Sequence, residues 1–92
     1  MRQIEYTSAF RSDYKREIKG RYRSVLEKEF PDLVELLAQD KILPVRCCDH
    51  ALGGNWKDHR DCHIRPDLVL IYRKFEKKLQ LVRLGSHSEL GW

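Results

Sequence analysis

The stretch LVLIYRKFEKKLQLVRLG, residues 68–85, decides the fold. Residues 68–75, LVLIYRKF, form a dense run of β-branched and aromatic side chains, the mark of a buried, central strand. Glu76, Lys77 and Lys78 make a tight turn, and LQLVRLG (79–85) then alternates as a second strand. Leu79 and Leu81 share one of its faces, and strict alternation would add Arg83. Upstream, IRPDL (64–68) is a turn built on Pro66 and Asp67. Before it, WKDHRDCHI (56–64) has no helical stripe but alternates at period two. ALGGN (51–55) is a loop around Gly53 and Gly54.

The first half of the chain has a different rhythm. RQIEYT (2–7) reads as a short strand, after which Thr7 or Ser8 can cap a helix by accepting a hydrogen bond from its first turn. Phe10, Tyr14 and Ile18 recur at helical spacing on one face. Val25, Leu26, Leu33, Val34, Leu36 and Leu37 form a second stripe, with Pro31 as a kink or the first turn of a new helical piece. The helical region closes near AQDKILP (38–44), because the residue before Pro44 is pushed from helical dihedrals. The tail SHSELGW (86–92) has room for a turn of helix. The order is strand, helical pair, then antiparallel strands in one sheet: a compact two-layer α+β domain spanning residues 1–92.

Composition narrows the function classes. The 92 residues are 41% hydrophobic and hold no apolar run near the ~20 residues that span a bilayer. MRQIEYTSAF carries charges where a signal peptide needs its apolar region, so a cytoplasmic location is expected, with no membrane partner. Cys47, Cys48 and Cys62 are odd in number and two are adjacent, which suits reduced thiols better than a disulfide framework. The net charge of +4, concentrated in RSDYKREIKGRYR (11–23) and YRKFEKKLQLVR (72–83), is compatible with nucleic acid, an acidic protein, or solubility alone.

RCCDH (46–50) and HRDCH (59–63) gather histidines and cysteines. As a zinc site they lack a C-x2-C pair, and Cys62 and His63 point to opposite faces of a strand. No metal and no cofactor is expected, and Cys62 and at least one of Cys47 and Cys48 read as small buried hydrophobes. In a strand His59, Asp61 and His63 share a face, and Asp67 follows the turn. His63 and His87 come close if the late strands are neighbours. Imidazole donates and accepts protons near neutral pH. Histidine, aspartate and arginine together can cleave RNA through its own 2′-OH.

DHALGGNWKDHRDCHIRPDLVLIY (49–72), followed by LVRLGSHSEL (81–90), resembles the YafQ toxins of the RelE superfamily, and the likeness extends over the whole chain. The resemblance implies the toxin half of a type II toxin–antitoxin pair with a microbial-RNase-like fold. Such a toxin is an endoribonuclease that enters the decoding site of the ribosome's small subunit and cuts mRNA there. Its partner is a ribbon-helix-helix antitoxin of the DinJ kind; the free toxin is expected to be monomeric. By position the resemblance assigns catalysis to His50, His63, Asp67 and His87, with Asp61 and Arg83 in supporting places. His59 and the cysteines match no functional position. Relatives carry an aromatic directly after the tail leucine. Here the order is Leu90-Gly91-Trp92, so stacking on a base falls to a displaced Trp92.

The expected mechanism is metal-free. His87 or Asp67 acts as, or assists, the general base, and His50 or His63 protonates the leaving 5′-oxygen. Arg83, with Lys57 behind it, meets the charge on phosphate. Lys15, Arg16, Lys19, Arg21 and Arg23 on the basic helix are expected to hold ribosomal RNA. The rival readings are an inactive RNA- or partner-binding module of the same fold, and a small zinc protein.

Overall fold

The computed structural model describes residues 1–91, so the expectation placed on Trp92 lies outside the described residues. β4 (Leu68–Phe75) and β5 (Lys78–Gly85) form the hairpin, with Glu76 in the left-handed region at φ 53° to close its turn. β3 (Arg60–Arg65) runs antiparallel to β4, and β2 (His50–Ala51) antiparallel to β3. β1 (Gln3–Tyr6) lies beyond β5, giving one five-stranded sheet in the order β1-β5-β4-β3-β2, with β4 at its centre.

Two features differ from expectation. β1 is parallel to β5, from Gln3 opposite Lys78 to Tyr6 opposite Leu81, so the sheet is mixed. A parallel pairing across so much chain leaves no local turn signal to read. The helical region also holds three pieces rather than two: α1 (Ser8–Glu17), α2 (Arg23–Lys28) and α3 (Phe30–Ala38). Pro31 sits in the first turn of α3, where its missing N–H has no helical partner to lose. α1 starts where Thr7 Oγ1 accepts the Phe10 N–H at 3.0 Å. That hydroxyl also donates to the Val82 carbonyl at 2.7 Å, fixing the helix to β5.

Alternation along β4 sorts the two faces of the sheet. Leu68, Leu70 and Tyr72 meet Leu79, Leu81 and Leu84 and the helical residues Phe10, Leu26, Phe30 and Leu37 in the main core. Val69 and Ile71 point the other way, under Leu90 and the half-buried Leu52, Trp56 and Val82. Strict alternation in β5 fails at one place: the pairing slips between Ile71 and Tyr72, leaving Val82 as an extra residue. Leu84 therefore follows Leu79 and Leu81 into the core, while Arg83 stands opposite Ile71. A bulge re-aims side chains in this way.

Cys47 and Cys62 are buried and Cys48 is exposed. Burial pushes the Cys62 thiol well above its ordinary range and raises Cys47 as well, so both pack as small hydrophobes. No described helix is long and apolar enough to cross a membrane.

Candidate active site

The face of the sheet away from the helices collects the ionisable groups. Asp61 lies opposite Ile71, and His63 opposite Val69. His50 pairs with Asp61 across β2 and β3, which places it on the same side. His87 follows Gly85, itself opposite Val69. The rings of His63 and His87 meet edge to face, with centroids 5.3 Å apart. His59 precedes β3. Its Nδ1 lies 3.0 Å from the Lys57 carbonyl and its ring packs edge-on against Trp56, so the strand-face trio contracts to Asp61 and His63.

Asp67 ends the two-residue turn between β3 and β4. Its Oδ1 accepts the backbone N–H of His87 at 2.9 Å and the His87 Nδ1 at 2.8 Å. Those two hydrogen bonds, the backbone one foremost, hold the Asp67 carboxyl below the usual carboxylate range. An ionised carboxylate only accepts, so the proton sits on Nδ1 and Nε2 becomes the basic nitrogen of His87.

Asp61 is 2% exposed. His50 Nδ1 lies 2.9 Å from Asp61 Oδ1, yet the same nitrogen is 2.7 Å from the Cys48 carbonyl, the better-aligned acceptor. Among the described residues Asp61 Oδ1 therefore has no aligned donor. Burial pushes this carboxyl up, and His50, His63 and His87 only partly offset it. A carboxyl raised in the fold resists ionisation more than it does in the unfolded chain, so its ionisation at neutral pH opposes folding. Asp61→Asn is expected to raise the melting temperature at pH 7. Below the ordinary carboxyl value of 3.8, where both states are protonated, the gain should vanish. An unchanged or lower melting temperature at pH 7 would contradict this account.

The expected RNA-contacting cations Lys15, Lys19, Arg21, Arg23 and Lys57 are exposed. Arg21 lies over the Tyr22 ring, 4.8 Å from its centroid, and Arg23 pairs with Glu27 on its own helix. Arg16 departs from the expectation for that set. Its guanidinium donates to Asp13 at 3.1 Å, Glu17 at 2.8 Å and the Leu84 carbonyl at 3.0 Å, and forms an ion pair with Glu89 at 2.9 Å. No three His, Cys, Asp or Glu side chains among the described residues are grouped to hold a metal ion.

The profile of the bacterial toxin of type II toxin–antitoxin systems, YafQ, matches residues 2–91. The chain belongs to the YafQ toxin family. The mRNA interferase toxin YafQ of Escherichia coli K12 is 37% identical over 90 residues, covering 97% of this chain and 95% of that one. A copper-bound mutant toxin from Helicobacter pylori superimposes with a TM-score of 0.84 at 38% identity, covering 98% of this chain and 99% of that one. The toxin fold in an E. coli DinJ–YafQ complex matches with a TM-score of 0.81 at 35% identity, covering 98% of each chain.

In this YafQ-family chain one buried charged residue escaped sequence reasoning. Asp13, 3% exposed, accepts from Arg83 Nε at 2.7 Å, Arg83 Nη2 at 3.2 Å and the Leu84 backbone N–H at 3.0 Å. Burial alone would push its carboxyl up. The Arg83 and Leu84 hydrogen bonds, with the charges of Arg83 and Arg16, bring it below its ordinary range instead. A lone aspartate amid RSDYKREIK reads as solvated helix surface, and nothing local signals a partner 70 residues away.

Proposed function

We propose that this toxin cleaves mRNA in the decoding site of the ribosome by attack of the RNA's own 2′-OH. The coarse part rests on kinship. A chain 37% identical over nearly its full length to an mRNA interferase is an endoribonuclease of the same toxin class. The fine part rests chiefly on one observation, the Asp67–His87 pair, which holds the His87 ring in place against His63.

In that mechanism His87 Nε2 takes the proton from the 2′-OH, and Asp67 holds the resulting imidazolium in orientation. The 2′-oxygen bonds to phosphorus while the bond to the 5′-oxygen breaks, leaving a 2′,3′-cyclic phosphate and a 5′-OH. Attacking and leaving oxygens lie in line, so base and acid must flank the phosphorus. The ring contact between His63 and His87 leaves no room for a phosphorane between them. His50 stands one strand further on and is the better-placed donor to the 5′-oxygen. His63 and Arg83 then meet the charge on the phosphate oxygens. Asp61 backs His50, and Lys15, Lys19, Arg21, Arg23 and Lys57 supply positive charge toward ribosomal RNA. The toxin acts in the cytoplasm, and its silencing partner is a DinJ-like ribbon-helix-helix antitoxin, in keeping with the E. coli DinJ–YafQ complex.

Because a Helicobacter pylori relative is described as copper-bound, the decisive assay includes a chelator. With toxin first stripped by EDTA and then dialysed free of it, primer extension should map the same cuts in an mRNA on translating ribosomes as with untreated toxin, and none in the same mRNA free in solution. Cleavage that is lost with the stripped toxin, at unchanged Mg²⁺, and restored by adding back a transition metal would overturn the metal-free mechanism. Equal cleavage of free mRNA would overturn the ribosome requirement.

A further inference from the structure

Arg83 cannot reach a phosphate accurately unless something fixes it, because a four-torsion side chain at a sheet margin is intrinsically mobile. The bulge at Val82 turns Arg83 toward the site face, and there its guanidinium meets α1 rather than solvent alone. β1 ends at Tyr6, opposite Leu81, so the margin of β5 beyond that point has no strand beside it. α1 supplies the missing partners. The Leu84 N–H donates to Asp13, and the Leu84 carbonyl accepts from Arg16. Arg16 also forms an ion pair with Glu89, whose carboxylate accepts the Ser86 N–H at 2.9 Å. A Cβ on Gly85 would fall 2.8 Å from Arg16 Nη2, so the guanidinium lies directly against the backbone that leads to His87.

We propose that Asp13 is a positioning residue for cleavage: it holds Arg83 by two hydrogen bonds, with Arg16 securing the turn that carries His87. This rests on the reading of Arg83 as the cation at the scissile phosphate. Asp13 touches no substrate. It acts by fixing the direction of the guanidinium and the height of the β5 end, and a misplacement of about 1 Å in such a group can cost on the order of 100-fold in rate.

Asp13→Asn is the sharpest probe, since the amide oxygen still accepts the Leu84 N–H while the amide group cannot serve both Arg83 donors. Single-turnover cleavage on programmed ribosomes, at a temperature where circular dichroism shows every variant folded, should fall roughly 10–100-fold for Asp13→Asn. KM should change little. Arg83→Gln should fall comparably, and the double variant should be no slower than Arg83→Gln alone, because an absent guanidinium has no position to lose. A role confined to stability would lower the melting temperature and leave the rate of the folded protein unchanged, which would overturn the proposal. Multiplied losses in the double variant would overturn it too. If Arg83→Gln cleaves at the wild-type rate, the reading of Arg83 fails and takes the inference with it. If the wild type does not cleave, the reading of the whole site has failed instead.

Discussion

His87→Ala is expected to lower mRNA cleavage on ribosomes by about 100- to 10,000-fold while the protein stays folded, the span that removal of a positioned general base or acid commonly produces. The site concentrates its dependence on this one ring. Asp67 directs its Oδ1 to His87 through both the backbone and the ring nitrogen. His63 packs against the same imidazole. Asp67→Asn separates orientation from proton transfer. An amide facing Nδ1 can present N–H instead of oxygen and stabilises the wrong tautomer, so the rate should fall while the His87 side chain is retained. The half-buried ring contributes little apolar area, so the melting temperature of His87→Ala should stay within a few degrees of wild type. Cleavage by His87→Ala within threefold of wild type would remove the ring from the mechanism.

Leu70→Ala should produce the largest loss of stability, about 2–5 kcal/mol. Leu70 is fully buried on the central strand, between Cys62 of β3 and Leu84 of β5, and faces the helices. Neighbouring strands hold its backbone on both sides, so the cavity cannot close by local collapse. For a domain of this size each kcal/mol moves the melting temperature by about 4–8 °C, so a fall of roughly 10 °C or more is expected. Equilibrium denaturation monitored by circular dichroism measures it. A loss below about 1 kcal/mol would show that the sheet and helices pack less tightly around Leu70 than the structure describes.

The hairpin of β4 and β5, the turn at Pro66–Asp67 and the capping of α1 at Thr7 were legible, because each is written in contiguous residues. Period two also placed Asp61 and His63 together on β3. The bulge at Val82 was not legible, since one extra residue leaves no mark in a sequence that alternates equally well without it. It moved Arg83 from the core face to the site face and drew Leu84 inward. β2 is only His50–Ala51, too short for any periodicity, and its pairing partner alone makes it a strand. Asp13 and Arg16 were hidden for another reason: charged residues on a helix look alike until the strand they cover is known. What the chain's local chemistry did specify was that Asp61 and His63 share a strand face with Asp67 just after the turn; the proton-transfer roles proposed for His50, His63, Asp67 and His87 rest on the family resemblance. What it left open was which cations belong to the protein itself.

The parallel pairing of β1 with β5 also bears on how the molecule comes into being. Gln3 finds its partner at Lys78 and Tyr6 at Leu81, so the first strand to be synthesised waits for the last. At roughly 5–20 residues per second, that wait lasts several seconds. Meanwhile the strands from His50 onward can form their meander through near neighbours in the chain, while closure against β1 and α1 draws on contacts of long sequence separation and is slow. The Asp13–Arg83 clamp belongs to that final closure. A growing chain thus carries His50 and His63 before it can aim its arginine, and competence to cut arrives only with His87, just beyond the end of β5, rather than piecemeal. For a toxin that cuts messenger RNA, the topology itself is a delay.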